Sequence, residues 1–332
     1  MSTKAQLSDI EQNPCKDDFP LLAAHPEMVF LDSAATSQRP ASVLDAQRAF
    51  YETMNANPLR GLYRLSIDAT DAIERTRAHV ARFIAAVDEG GNPQKEQIVF
   101  TRNTSESLNL VASSLGRTIL SPGDEVVISI MEHHSNLIPW QQVCAATGAR
   151  LVYLRLDDDF NISQDELKAK LGPRTKIVSL TQVSNVLGTQ NDIAAVARRA
   201  HEMGAYLVVD GAQGAPHVRS SVREMGCDLY AFSAHKMMGP MGVGVLWGTA
   251  AVLELMTPFL TGGEMIDSVT ETDAVWAPVP QKFEAGTQDA AGIYAFDAAL
   301  SYLEGLGMEA VECRERELAR YLTESLASLD FI

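Results

Sequence analysis

From about Glu96 to Trp247, short runs of apolar and β-branched residues alternate with stretches whose apolar positions recur at helical spacing. That alternation predicts an α/β fold: a mainly parallel sheet of seven strands sandwiched by helices. The strands are expected at 97–101, 125–129, 150–154, 176–181, 206–209, 229–232 and 243–247. One crossover shows the logic. Asp192 is placed to cap a helix whose positions Ile193, Val196, Ala197, Ala200 and Met203 share a face, and Gly204 ends it, with the strand at 206 following at once. Further helices are predicted over 42–54 and 68–87, separated by the turn-prone Asn55-Ala56-Asn57-Pro58, and 88–93 reads as an exposed loop. From Gly292 two helical segments are broken near Gly305-Leu306-Gly307, and a new element is expected to begin at 329–332.

Composition narrows the classes. The chain of 332 residues carries 27 basic and 43 acidic residues, for a net charge of -16. Such a surface repels phosphate backbones and anionic membranes, so nucleic acid and membrane are excluded as partners, while a basic cleft for one small anion stays open. Cys15, Cys144, Cys227 and Cys313 lie far apart without metal-ligand spacing, which fits a reducing compartment. The first twenty residues are polar, with no apolar core of a secretory signal, and no stretch has the length of a membrane span, so the expected location is the cytoplasm.

In an open parallel sheet, ligands bind beyond the carboxyl ends of the strands, so the polar residues there are the candidates. After the first strand, Thr104 and Ser105 open a helix, an arrangement that holds a phosphate or simply caps the helix. After the fifth, Asp210-Gly211-Ala212-Gln213 offers either a buried carboxylate in need of a cation or a turn-forming exposed one. After the sixth, Ser233-Ala234-His235-Lys236 places a lysine at a strand end, as a Schiff-base nucleophile or as a surface residue. After the second, His133 and His134 are adjacent; sequence neighbours point apart and no HExxH accompanies them, so a metal is disfavoured and stacking on a planar cofactor or a structural role remains. Taken jointly, a phosphate cradle, a carboxylate for a pyridinium nitrogen and a lysine for an aldehyde are the three handles of pyridoxal phosphate.

The chain also resembles a family. The segments Phe30-Leu31-Asp32-Ser33-Ala34-Ala35-Thr36-Ser37-Gln38, Met131-Glu132-His133-His134-Ser135-Asn136, Val183-Ser184-Asn185-Val186-Leu187-Gly188, Val209-Asp210-Gly211-Ala212-Gln213, Phe232-Ser233-Ala234-His235-Lys236 and Phe283-Glu284-Ala285-Gly286-Thr287 are similar to the SUF-type cysteine desulfurases of the class V aminotransferases, which are fold-type I pyridoxal-phosphate enzymes. The resemblance runs from about residue 18 to the end. It implies that Lys236 bonds covalently to the cofactor, that Asp210 keeps the pyridinium nitrogen protonated and that His133 stacks on the ring. Asn185 and Gln213 are implied at the phenolate oxygen. Thr104, Ser105, Ser233 and His235 are implied at the phosphate, with Thr287 reaching the phosphate site of a partner subunit in a homodimer. Arg60-Gly61-Leu62-Tyr63 is expected near the entrance.

The implied activity takes sulfur from L-cysteine, leaving L-alanine and an enzyme persulfide that passes to a sulfur-acceptor protein of the SUF system for iron–sulfur cluster assembly. The implied organisation is an N-terminal segment at 1–30, a large cofactor-binding domain at 31–290 and the start of an incomplete small C-terminal domain at 291–332. In the family, the nucleophilic cysteine and an arginine for the substrate carboxylate lie in that small domain, beyond the end of this chain. None of the four cysteines matches the nucleophile, and Cys144, Cys227 and Cys313 are expected to be structural. Two alternatives therefore stand beside desulfuration: a non-catalytic pyridoxal-phosphate-binding protein, and a lyase or epimerase acting on another amino acid.

Overall fold

The computed structural model describes residues 14–59, 61–327 and 329. A seven-stranded sheet runs in the order β1-β7-β6-β5-β4-β2-β3, with β1 Ile98–Thr101, β2 Glu125–Ser129, β3 Arg150–Leu154, β4 Thr175–Thr181, β5 Tyr206–Asp210, β6 Leu229–Ser233 and β7 Gly244–Gly248. All pairings are parallel except those of β7, which runs against both β1 and β6. The chain between Ser233 and Gly244 is too short for a crossover helix, so β7 must return antiparallel.

Alternate residues feed two apolar layers, as the period of a strand requires. Phe100, Val127, Val178, Leu180, Leu207, Val209 and Phe232 enter the core on one face, and Val99, Val126, Ile128, Ile177, Val208, Leu229 and Ala231 the other. The helices Ala41–Thr53, Arg64–Phe83 and Ala290–Leu306 pack together beside the first face, where Phe296, Ala299, Leu300 and Leu303 join the same core. The crossover helix Ile193–Glu202 is capped by Asp192, whose carboxylate accepts the Ala195 N–H at 2.9 Å.

Several sequence expectations shift. The helix predicted over 68–87 spans Arg64–Phe83 and ends there because Ala85 takes φ +55°, which starts a bridge between Val87 and Pro93. A small antiparallel pair, β8 Ile266–Val269 with β9 Ala274–Trp276, was not anticipated. The helix Met308–Leu326 has no buried residue. Of the element expected at 329–332, only Leu329 falls within the described residues, and it lies in a bend.

Candidate active site

The carboxyl ends of β1, β2, β4, β5 and β6 lie along one edge of the sheet and border a cavity of about 530 Å³. Nine of the ten sequence-derived candidates line it: Thr104, Ser105, His133, Asn185, Asp210, Gln213, Ser233, His235 and Lys236. Thr287 does not. It is exposed, with its hydroxyl donating to Asn57 Oδ1 at 3.3 Å, and within a single chain it borders a separate cavity beside Arg102 and Glu106. Gly61, Leu62 and Tyr63 do not line the cavity, and Arg60 lies outside the described residues.

Register builds the phosphate-sized corner. Gly244 of β7 lies opposite Thr101 of β1 on one side and Ser233 of β6 on the other. A Cβ at Gly244 would stand 2.5 Å from Asn103 Cα, so only glycine lets the start of the Thr104–Val111 helix settle against the strand. Ser233 Oγ then accepts the Thr104 N–H at 2.7 Å and lies 2.6 Å from Thr104 Oγ1, while Ser105 Oγ lies 2.6 Å from Ser135 Oγ. Hydroxyls thus converge at a helix N-terminus, where the dipole favours an anion. The simple cap is also present, but on a different residue: Asn103 Oδ1 accepts the Glu106 N–H at 2.9 Å and Glu106 accepts the Arg102 N–H at 2.6 Å. Capping therefore leaves the Thr104 and Ser105 side chains free for the cavity.

The charged groups are one partner short. Asp210 is 2% exposed, yet among the described residues its carboxylate receives a single hydrogen bond, from the Ala212 N–H at 2.9 Å. Burial pushes its pKa up, and the Ala212 N–H and the charges of Lys236 and His133 only partly offset this. Burial likewise pulls the Lys236 ammonium down, against the opposing field of Asp210. Among the described residues no hydrogen bond or ion pair ties Lys236 Nζ. A carboxylate desolvated without an ion pair and an amine made easier to deprotonate fit a pyridinium nitrogen and an aldehyde between them.

The backbone sets the tautomer of one histidine. His133 Nδ1 accepts the Ser135 N–H at 3.1 Å, so a neutral His133 carries its proton on Nε2. Burial and the Lys236 charge lower its pKa despite Asp210, which favours that neutral form. His235 lies beside Thr36, and its carbonyl accepts from Ser37 Oγ at 3.0 Å. Gln213 Nε2 donates to the Ala34 carbonyl at 2.7 Å, drawing the 32–38 segment across the cavity.

Some lining residues were missed by strand-end reasoning: Asp32, Ala34, Ala35, Asn103, Ser135 and Thr181. Those of the 32–38 segment sit roughly two hundred residues from their partners, which no local pattern reveals; Ser135 could have been found as the hydroxyl two residues past His133. The thiols are elsewhere. Cys144 and Cys227 are buried, their pKa values pushed up by desolvation, Cys144 to about 11. Cys15 is half-buried and borders no part of the cavity. Cys313, expected to be structural like the other two, is exposed, because its helix packs no residue into the core. Among the described residues no cluster of His, Cys, Asp and Glu could hold a metal, and no helix is long and apolar enough to cross a membrane.

Comparison with known proteins places this arrangement. The profile described as Aminotransferase class-V matches residues 29–332. A probable cysteine desulfurase of Halalkalibacterium halodurans is 48% identical over 303 residues, covering 91% of this chain and 73% of that protein. Among solved structures, the cysteine desulfurase CsdA of Escherichia coli superposes with a TM-score of 0.87 at 37% identity, over 99% of this chain and 78% of that one. An apo cysteine desulfurase of Thermococcus onnurineus NA1 gives 0.89 at 36% identity, over 95% and 77%.

Proposed function

The chain belongs to the class V aminotransferase family, and from that premise we propose that it is a pyridoxal-phosphate enzyme acting on L-cysteine as a cysteine desulfurase. The observation that carries the reading is that Asp210 and Lys236 line one cavity, each desolvated, and among the described residues no ion pair holds either. When bound, the cofactor supplies an electron-withdrawing ring that makes the bonds at the substrate Cα labile. The chain's own residues do the rest. Thr104, Ser105, Ser233 and His235 would grip the phosphate oxygens. Asp210 would hold the proton on the ring nitrogen, His133 would lie against the ring, and Asn185 and Gln213 would face the phenolic oxygen. Lys236 would anchor the cofactor, and its Nζ, made easier to deprotonate by burial, would serve as the base for the Cα proton.

Thr287 is assigned to the neighbouring subunit's phosphate site in a homodimer. Its exposure and its position outside this chain's cavity support that assignment. The large cofactor-binding domain, expected to end near residue 290, is taken to include the Ala290–Leu306 helix, whose Phe296, Ala299, Leu300 and Leu303 join its core. The sulfur acceptor is assigned as a protein of the SUF type, in the cytoplasm.

Sulfur transfer needs a thiolate within reach of the substrate sulfur. None of the four cysteines lines the cavity, so the 332 residues alone should load cofactor and yet form little persulfide. That same observation favours a second reading, a lyase or epimerase that needs no enzyme thiol. The test is to add pyridoxal phosphate and compare the visible absorbance with that of Lys236→Ala, then to follow alanine, sulfide and persulfide with L-cysteine and with a panel of amino acids. A visible band lost in the variant supports the cofactor assignment. Turnover of another amino acid in preference to cysteine would move the assignment to the second reading.

A further inference from the structure

Beneath the cavity lies a carboxyl group that the chemistry above leaves unused. Glu132 is the residue before His133, and both of its oxygens are engaged: Ser129 Oγ donates to Oε1 at 2.5 Å and Asn136 Nδ2 to Oε2 at 2.6 Å. Neither donor is free to turn away. Asn136 is fully buried, and its Oδ1 accepts from Trp140 Nε1 at 2.9 Å and from Ser179 Oγ at 2.6 Å, which leaves only its NH2 for Glu132. Ser129 Oγ accepts the Met131 N–H at 3.2 Å, so its own proton goes to the carboxylate. The side chain is thus gripped from β2 and from the turn after it, with Asn136 held in turn by β4 and the next helix.

Two side-chain donors converge on this point, which suits a carboxylate. A glutamine there would set its NH2 against one of the two donors. Yet the charge has no counter-ion: among the described residues no cation pairs with Glu132. Among charged groups, Asp210 from β5 acts on it, and Lys236 and His133 act in turn on Asp210. Burial pushes the Glu132 carboxyl up to about 7, with Asp210 adding to the rise and the Ser129 and Asn136 bonds opposing it.

We propose that Glu132 is a positioning residue for the cofactor: it anchors the turn that presents His133 to the ring, and its charge acts through Asp210 on the acidity of the bound cofactor. This rests on the cofactor reading above. A merely structural carboxyl would leave the cofactor's own titration untouched. Here the negative charge forms as the pH rises through neutrality and strengthens the field that favours protons on the cofactor.

The experiment is a pH titration of the visible absorbance of the cofactor-loaded protein, for the wild type, Glu132→Gln and Ser129→Ala, with the cofactor dissociation constant measured alongside. The wild type should show an inflection above the ordinary carboxylate range, where Glu132 ionises. Glu132→Gln should lose that inflection and bind cofactor about tenfold more weakly, because the His133 turn is no longer held. Ser129→Ala removes one donor to the carboxylate and should move the inflection up by about one pH unit. A Glu132→Gln protein with the wild-type titration curve and affinity overturns the proposal. If that variant does not fold, an unmoved inflection in Ser129→Ala overturns it instead. A wild type with no visible band takes down the cofactor reading, and this inference with it.

Discussion

Two buried carboxylates, Glu284 and Asp210, are finished in opposite ways. Glu284, 3% exposed, receives both arms of the Arg77 guanidinium at 2.7 and 2.9 Å and the Phe100 N–H at 2.7 Å. Arg77 is itself held from several sides. It donates to the Ile98 carbonyl and to Glu74 and lies over the Phe100 ring at 4.7 Å. Desolvation works against its charge, but Glu284 overrides it and holds the pKa above the ordinary value. Asp210 is as deeply buried, with one backbone N–H and an open cavity before it. A carboxylate that serves the fold brings its cation within the chain, whereas one that serves a ligand is left short of a partner the ligand must supply.

The contrast can be broken most forcefully at Arg77. Arg77→Met strands the buried Glu284 charge and should cost about 3–5 kcal/mol in chemical denaturation of the cofactor-free protein, with part of it regained in Arg77→Met/Glu284→Gln. An unchanged midpoint in the single variant would contradict the structural role. A smaller effect is expected at the other end of the sheet. Thr104→Ala should weaken cofactor binding about tenfold while leaving cofactor-free stability near the wild-type value, since it removes a hydroxyl offered to the ligand. A loss of stability without a loss of affinity would place Thr104 with the fold instead.

The smallest effect concerns His79. Its Nδ1 lies 2.8 Å from Asp297 Oδ1 and its Nε2 3.0 Å from Glu304 Oε2, joining the Arg64–Phe83 and Ala290–Leu306 helices. Burial works against the imidazolium, but the two carboxylates outweigh it and raise the pKa. A raised folded-state pKa gives stability that is fully present below the unfolded value, about 6.5, and is lost as the pH rises through the folded one. His79→Gln should therefore be destabilising by on the order of 1 kcal/mol at about pH 6 and less at about pH 9, measured by urea midpoints. An equal deficit at both pH values would leave only packing.

Much of this was legible in the chain. The strands show as apolar runs because both faces of the sheet are covered, and the Asp192 cap and Gly204 stop mark the crossover helix without ambiguity. The ends of β5 and β6 fell one residue short because Asp210 and Ser233 look like loop residues by type, yet still pair with Ala231 and Gly244. Candidates that follow strand ends were found, since topology alone brings them together. What could not be read was contact at long range. Arg77 with Glu284 and Gln213 with Ala34 join segments about two hundred residues apart, and a charged residue on a helix gives no local sign that it is buried. Thr287 marks a different limit: the role the resemblance implies for it lies at a second copy, and it is outside the cavity of its own chain.

The central claim is that Asp210 awaits a cation brought by the cofactor. It is tested most directly by the denaturation midpoints of the wild type and Asp210→Asn, with and without pyridoxal phosphate, between about pH 4 and pH 8. Because burial raises the Asp210 pKa, its ionisation costs the cofactor-free fold stability as the pH climbs above the ordinary carboxylate value. Without cofactor, Asp210→Asn should therefore equal the wild type at the acid end and exceed it at the other. Added cofactor should reverse that order by stabilising the wild type far more than the variant. A wild type that is the more stable of the two without cofactor, or that gains no more from it than Asp210→Asn, would contradict the account.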